Sequence, residues 1–210
     1  MSVRRTTTGR EPHAGGRRPG ESGTRESILR EARRSFAESG YRGATVRSIA
    51  GAAQVDPALV YHFYGSKADL FAAAMELPLS PVRIIEGALD GDLAGLGRRI
   101  VAAFVRTWDD PAHQAPLLGM LRATLSNDAS VGLVRDYIST QILTRLASRL
   151  SGADREWRTS LVGTQLLGLG MARYLMRLEP LASATPEEVV EAVAPSVQRY
   201  LTGDLGTLLG

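Results

Sequence analysis

Residues 45–64 read TVRSIAGAAQVDPALVYHFY, and their spacing decides the fold. Thr45 is a good N-cap for a short helix carrying Val46, Ile49, Ala50 and Ala53. Asp56-Pro57 starts a second one, with Asp as N-cap and Pro in the first turn, where its missing N–H costs nothing. Two short helices around a tight turn at about Ala53–Val55 make a helix-turn-helix. Ile49, Ala50 and Ala53 face inward, Val55 plugs the turn, and Val60 and Tyr64, four apart, anchor the second helix. Small Ala50 and Ala53 let the helices cross closely. Pro57, Ala58, Leu59, Tyr61, His62 and Phe63 are left on or near the outer face, which is poor in charge and rich in aromatics. A merely solvated helix carries Glu and Lys there, whereas a face that must be dry against DNA has this composition.

The flanks extend the same pattern. From Thr24, Ile28, Leu29, Ala32, Phe36 and Ala37 recur at spacings of three and four, and Gly40 closes that helix. Ser66-Lys67-Ala68-Asp69 has the form of a capping box and opens a helix with Leu70, Phe71, Ala74 and Met75. Residues 1–23 are Gly-, Pro- and Arg-rich with almost no large apolar side chain, the composition of a disordered basic arm. It reads either as a plain solvated tail or as an arm touching DNA. Residues 1–47 hold eleven arginines against five acids, while residues 77–210 hold thirteen basic side chains against fourteen acidic ones. A basic front on a near-neutral body suits a polyanionic partner. Arginine outnumbers lysine 24 to 1, which reads as coding bias.

Beyond residue 80 every segment reads as helix, with breaks rich in capping residues near Gly91-Asp92, Asp109–Pro111, Ser126–Asp128, Ser151–Asp154 and Ala182–Pro186. No set of alternating β-branched runs with hairpin turns occurs, so the 210-residue chain is expected to be all-α. The division is a basic arm over 1–23, a three-helix helix-turn-helix domain over 24–76, and a helical effector-binding and dimerisation domain over 77–210. The chain has 0 cysteines, which excludes disulfides, thiolate metal sites and cysteine nucleophiles and fits a reducing compartment. No run of eighteen apolar residues spans a membrane, and the basic N-terminus lacks the apolar stretch of a secretory signal.

The stretch from Thr24 to Phe71 resembles the DNA-binding domain of the TetR (tetracycline repressor) family of transcriptional regulators. The residues that carry the resemblance include Ile28, Phe36, Gly40, Tyr41, Thr45, Val46, Ile49, Ala50, Val55, Val60, Tyr61, Tyr64, Ser66, Lys67 and Leu70. A family tyrosine followed six positions later by a lysine, with a tight turn just before it, is matched by Tyr61, Gly65 and Lys67, the chain's one lysine. Gln54 departs from a common turn glycine, and Tyr64 replaces the usual phenylalanine, so its hydroxyl needs a partner if buried. The resemblance implies roles. Thr45 and the N–H groups of Val46 and Arg47 bind a phosphate at the positive end of the helix dipole. Tyr61 and Lys67 lie at phosphates, which position without specifying. Arg47 reads guanine or contacts a phosphate, Pro57, Ala58 and Leu59 lie against the bases, with Ala58 and Leu59 near thymine methyls, and His62 is either a contact or solvated.

Catalysis is not expected. His13, His62 and His113 are scattered, Gly168–Arg173 lacks the last glycine of a dinucleotide loop, and no Gly-x-Ser-x-Gly elbow occurs. No metal or cofactor is implied. Gly163, Thr164, Gly168 and Ala172 are small residues suited to close helix packing. In the TetR-like architecture the last two long helices, Arg155–Leu178 and Pro186–Leu201, pair with those of a second subunit. An effector pocket is expected between residues 92 and 178, with Trp108, Met120, Thr124, Tyr137, Gln141 and Gln165 as candidates. That lining shows neither a run of acids for a cationic drug nor an arginine cluster for a phosphate. The reading is a cytoplasmic, homodimeric transcriptional regulator, a repressor of a palindromic operator in double-stranded DNA released by a small-molecule effector. A helical assembly without a DNA role and a small-molecule enzyme are the alternatives.

Overall fold

A computed structural model describes residues 19–77, 80–126 and 128–206, and every regular element among them is helical. The N-terminal unit comprises α1 (Pro19–Gly43), α2 (Val46–Ala52), α3 (Pro57–Tyr64) and α4 (Lys67–Ala74). α1 begins five residues ahead of Thr24, with Pro19 in its first turn, where the fixed φ of proline suits a helix. The expected arm over 1–23 is corrected to that extent: residues 19–23 belong to α1, and 1–18 lie outside the described residues. Gly40 interrupts α1 with a φ of 70°, a conformation open to glycine at little cost, and the chain runs on to Gly43.

Sequence and local structure agree closely from Thr45 to Asp69. Thr45 caps α2 by accepting from the Ser48 N–H at 3.0 Å, and Asp56 caps α3 by accepting from the Ala58 N–H at 2.7 Å. Ser66 caps α4, accepting from the Asp69 N–H and donating to its carboxylate at 2.9 Å. The turn between α2 and α3 closes without glycine. Gln54 takes a φ of 56°, at a cost on the order of 1 kcal/mol, and the Val55 N–H reaches the Ala50 carbonyl at 3.0 Å. Ile28, Ala32 and Phe36 of α1 meet Ile49, Ala50, Val60, Leu70 and Phe71 in one buried cluster. The buried Tyr64 hydroxyl finds its partner by donating to the Arg25 carbonyl at 2.9 Å.

The rest of the chain builds α5 (Pro81–Leu89), α6 (Leu96–Asp109), α7 (Pro111–Ser126), α8 (Asp128–Tyr137), α9 (Thr144–Ala147), α10 (Arg155–Leu169) and α11 (Pro186–Thr202). Two π-helical segments, Ile138–Leu143 and Gly170–Leu175, continue α8 and α10. At the first, the hydroxyls of Ser139 and Thr140 both donate to the Asp136 carbonyl, and such back-bonding bends helices. The helix expected over Arg155–Leu178 stops at Leu175.

α6 is the spine of this region. Leu96, Ile100, Val101 and Val105 pack against Val189, Val190, Val197 and Leu201 of α11, with Val162 and Leu169 of α10 completing the cluster. Gly97 permits the approach of α6 to α11, because a Cβ there would lie 2.7 Å from the Gln198 backbone nitrogen. The Gly97 N–H donates instead to the Gln198 side-chain oxygen at 2.8 Å. The cores are not sealed at residue 76. Tyr137 of α8 is buried in the N-terminal cluster, stacked on Phe71 at 4.5 Å and edge-on to Tyr41 at 5.2 Å.

Candidate nucleic-acid interface

α2 and α3 carry no acidic side chain, and their outer surface is what the core leaves over. Thr45, Arg47 and Ser48 are exposed at the start of α2, and Ala58, Leu59, Tyr61 and His62 on α3. Leu59 is 39% exposed and Tyr61 52%, with no packing partner to account for them. Among the described residues Arg47 makes no hydrogen bond or ion pair, so its five donors are open to a phosphate or a base edge. Pro57 is half-buried at the foot of the same face. The first N–H groups of α2 lie beside Thr45, although the Thr45 hydroxyl itself is engaged with Ser48.

Three side chains at this surface are partly or wholly taken up by the core. Val46 is 8% exposed and belongs to the core, so only its backbone N–H remains available at the helix start. Phe63 is half-buried against the first core, because the short α3 turns that position back toward the bundle. Lys67 is half-buried, with its ammonium 4.6 Å from the centre of the Tyr41 ring. Burial lowers the Lys67 pKa from its ordinary value, and burial pushes the Tyr41 phenol up to about 12. The Tyr41 phenol therefore stays neutral at pH 7, and the Lys67 ammonium lies over its ring at the start of α4.

The six candidates for an effector pocket are only partly brought together. Trp108 is buried and stacks on Tyr174 at 5.1 Å, with half-buried Met120 in the same packed cluster. The Thr124 hydroxyl donates to the Met120 carbonyl, Tyr137 fills the N-terminal core, and the Gln141 side-chain oxygen accepts from Arg145. Gln165 is half-buried on α10. Polar residues with apolar bulk fit a packed core as well as a cavity, and the pattern does not separate the two. An opening lies elsewhere, between α5, α6 and the start of α7. It is a cavity of about 650 Å³ bordered by Arg83, Arg99, Arg106, Thr107, Asp110 and His113 over a floor that includes Ile84 and Ala102. Residues 83, 99 and 106 are scattered in sequence, but Arg99 and Arg106 stand seven apart on one helix face, a signal that was available.

The outer side of α10 is also incompletely covered. Trp157 is 45% exposed, Leu167 55%, Met176 60% and Leu178 48%. The glycines divide: Gly163 borders Leu143, whereas a Cβ at Gly168 meets nothing within 4 Å, so no close packing within the subunit explains Gly168. Among the described residues no group of three His, Asp or Glu is placed to hold a metal ion, and no helix is long and apolar enough to cross a membrane.

A capped helix-turn-helix with an acid-free outer face, set on a helical body with a cavity of its own, defines a DNA-binding transcriptional regulator. The chain belongs to the TetR family: residues 28–74 match the model for bacterial regulatory proteins of the tetR family, and residues 94–201 match the tetracyclin repressor-like C-terminal domain. It is 32% identical over 141 residues to the HTH-type transcriptional repressor AcnR of Corynebacterium efficiens, covering 57% of this chain and 73% of that one. It is 30% identical over 151 residues to the repressor KstR2 of Rhodococcus jostii, covering 71% and 67%. A solved TetR-family regulator from Streptomyces coelicolor superposes with a TM-score of 0.54 at 42% identity, over 89% of this chain and 99% of that one.

Proposed function

We propose that the protein is a homodimeric repressor that holds a palindromic operator through α2 and α3 and releases it when a small molecule occupies the C-terminal region. The observation that carries this reading is the outer face of α2–α3, where Arg47, Leu59, Tyr61 and His62 are exposed without an acid among them. Arg47 and the first N–H groups of α2 supply charge and donors, while Ala58 and Leu59 supply apolar contact for thymine methyls. Tyr61 and Lys67 flank that face and suit phosphates.

The uncovered apolar positions on α10 and the segment after it support dimerisation, because Trp157, Leu167, Met176 and Leu178 are each exposed large apolar side chains that a partner would cover. α10 and α11 pack against each other, so a second pair completes a four-helix bundle. A two-fold dimer then presents two α3 helices to two inverted half-sites. The relatives named above as repressors favour repression over activation, and a regulator of this kind works in the cytoplasm, beside the chromosome. A band shift with the DNA flanking its own gene tests the proposal. Binding there, abolished by competitor operator and not by unrelated DNA, is the expected result. Equal competition by both removes the reading.

A further inference from the structure

The cavity between α5, α6 and α7 carries a chemistry that the chain's overall charge hides. Three guanidiniums, of Arg83, Arg99 and Arg106, border it against the single carboxylate of Asp110. They are not equivalent. Arg99 is occupied in closing the α5–α6 connection, donating to the Ala88 carbonyl at 3.0 Å and pairing with Asp92. Arg106 is exposed and makes no hydrogen bond or ion pair among the described residues. Arg83 has one weak partner, Asp69 Oδ1 at 3.6 Å, and its side chain is 74% exposed. His113 adds a buried Nδ1 with no hydrogen-bond partner, 3.3 Å from the Asp110 carboxylate. The Thr107 hydroxyl is satisfied by the Ala103 carbonyl at 2.7 Å and is no donor to spare. Around these groups the wall is apolar and made of small residues, Gly87, Ala88, Ala102 and Ala103. A cavity of about 650 Å³ with an apolar wall and a cationic rim fits a ligand with an apolar body and a negative head.

Arg83 has a second position of interest. It also borders a polar cleft of about 430 Å³ with Ser66, Asp69, Glu86 and Arg145, at the junction of α4, α5 and α9. Its partner Asp69 is the residue whose carboxylate accepts from the Ser66 cap of α4. One side chain therefore connects the cavity to the N-terminus of the helix that carries Lys67.

We propose that this cavity is the effector site and that it takes an amphipathic anion, a carboxylate or phosphate ester on an apolar body, whose head group is held by Arg106 and Arg83 and draws Arg83 away from Asp69. The inference rests on the ligand-released repressor proposed above and adds the class of ligand and the residue that transmits its arrival. An arginine fork bonds either head group through two parallel N–H donors, a stronger contact than the single 3.6 Å approach to Asp69.

The test uses the full chain and four probes of one length: octanoate, octyl phosphate, octanamide and octylamine. Calorimetry on the wild type should show octanoate or octyl phosphate binding at least tenfold more tightly than the amide or the amine. Which of the two anions binds better distinguishes a carboxylate site from a phosphate site. Arg106→Gln should weaken the anion at least tenfold and leave operator affinity unchanged, since Arg106 has no partner to lose. Arg83→Gln should bind operator but respond to the anion with a much smaller loss of DNA. Comparable binding of the amide or amine overturns the proposal, as does no binding of either anion, or an Arg106→Gln protein that binds the anion like wild type. Normal release by Arg83→Gln overturns the assigned role of Arg83. Calorimetry needs no DNA, so a wild type that binds the anion but no operator contradicts the repressor reading alone.

Discussion

A leucine at Gly168 acts in opposite directions on one subunit and on two. Within a subunit there is room, since a Cβ at that position meets nothing within 4 Å and the residue is exposed on α10. Glycine inside a helix is about 0.8–1.0 kcal/mol worse than alanine, and leucine is nearly as good as alanine. The Gly168→Leu monomer should therefore be slightly more stable than wild type, by a little under 1 kcal/mol. In the proposed dimer the same face, beside Leu167 and Trp157, is covered by the partner. Overpacking there costs about 1–3 kcal/mol per inserted side chain, and both subunits carry one. The dimer constant should weaken by roughly thirty-fold to twenty-thousand-fold. Sedimentation over a concentration series reads the association, and thermal melting at the dilute end reads the monomer. Operator affinity should fall with dimerisation, because two half-sites are held by one assembly. A variant that melts higher yet remains dimeric and DNA-competent at wild-type concentrations refutes the placement of the interface. A variant that melts lower even when dilute refutes the open space above Gly168.

The remaining predictions concern the DNA face and its support. Lys67→Ala should weaken binding to all sequences alike and reduce the salt slope by about one unit, with a change in base preference counting against it. It should also lose about 0.5–1 kcal/mol of stability from the contact with the Tyr41 ring, visible as an earlier denaturant midpoint. Arg47→Ala should relax one base pair in each half-site by roughly 1–3 kcal/mol, and a selection on randomised operators that returns an unchanged preference would make Arg47 a phosphate contact. Tyr64→Phe should cost about 0.5–1.5 kcal/mol, since the hydroxyl's bond to the Arg25 carbonyl is lost. No loss on chemical denaturation would mean that water replaces it.

Local rules carried the N-terminal unit. The apolar stripe of Ile28, Ala32 and Phe36, the caps Thr45, Asp56 and Ser66, and the turn glycine Gly40 each act over a few residues, and all appear where the sequence puts them. The same locality explains the turn at Gln54, where the surrounding helices enforce a left-handed residue that no composition rule selects. Val46 shows the limit of a motif. Its place beside Thr45 belongs to the DNA-facing start of α2, but its side chain follows the three-four spacing to Ile49 and goes inward. The start of α1 was readable from Pro19, a good first-turn residue, but the arginine- and glycine-rich context masked it. The two π-helical segments were not read from the sequence; at the first, the Ser139 and Thr140 hydroxyls bond back to the Asp136 carbonyl. The cavity was least legible of all. Arg83 comes from one helix and Arg99 and Arg106 from another, and only their packing makes a cationic rim.

Nuclease protection on the DNA upstream of the protein's own gene tests the DNA-reading face most directly, with the Arg47→Ala and Lys67→Ala proteins run beside the wild type. The account predicts one protected stretch containing two inverted half-sites whose centres lie about 34–36 Å, or a multiple of that, apart. Protection should need more protein for Lys67→Ala and lose its sharp sequence limits for Arg47→Ala. Protection that is absent, that spreads evenly along the fragment, or that is the same for all three proteins would contradict the assignment of α2 and α3 as the operator-reading face.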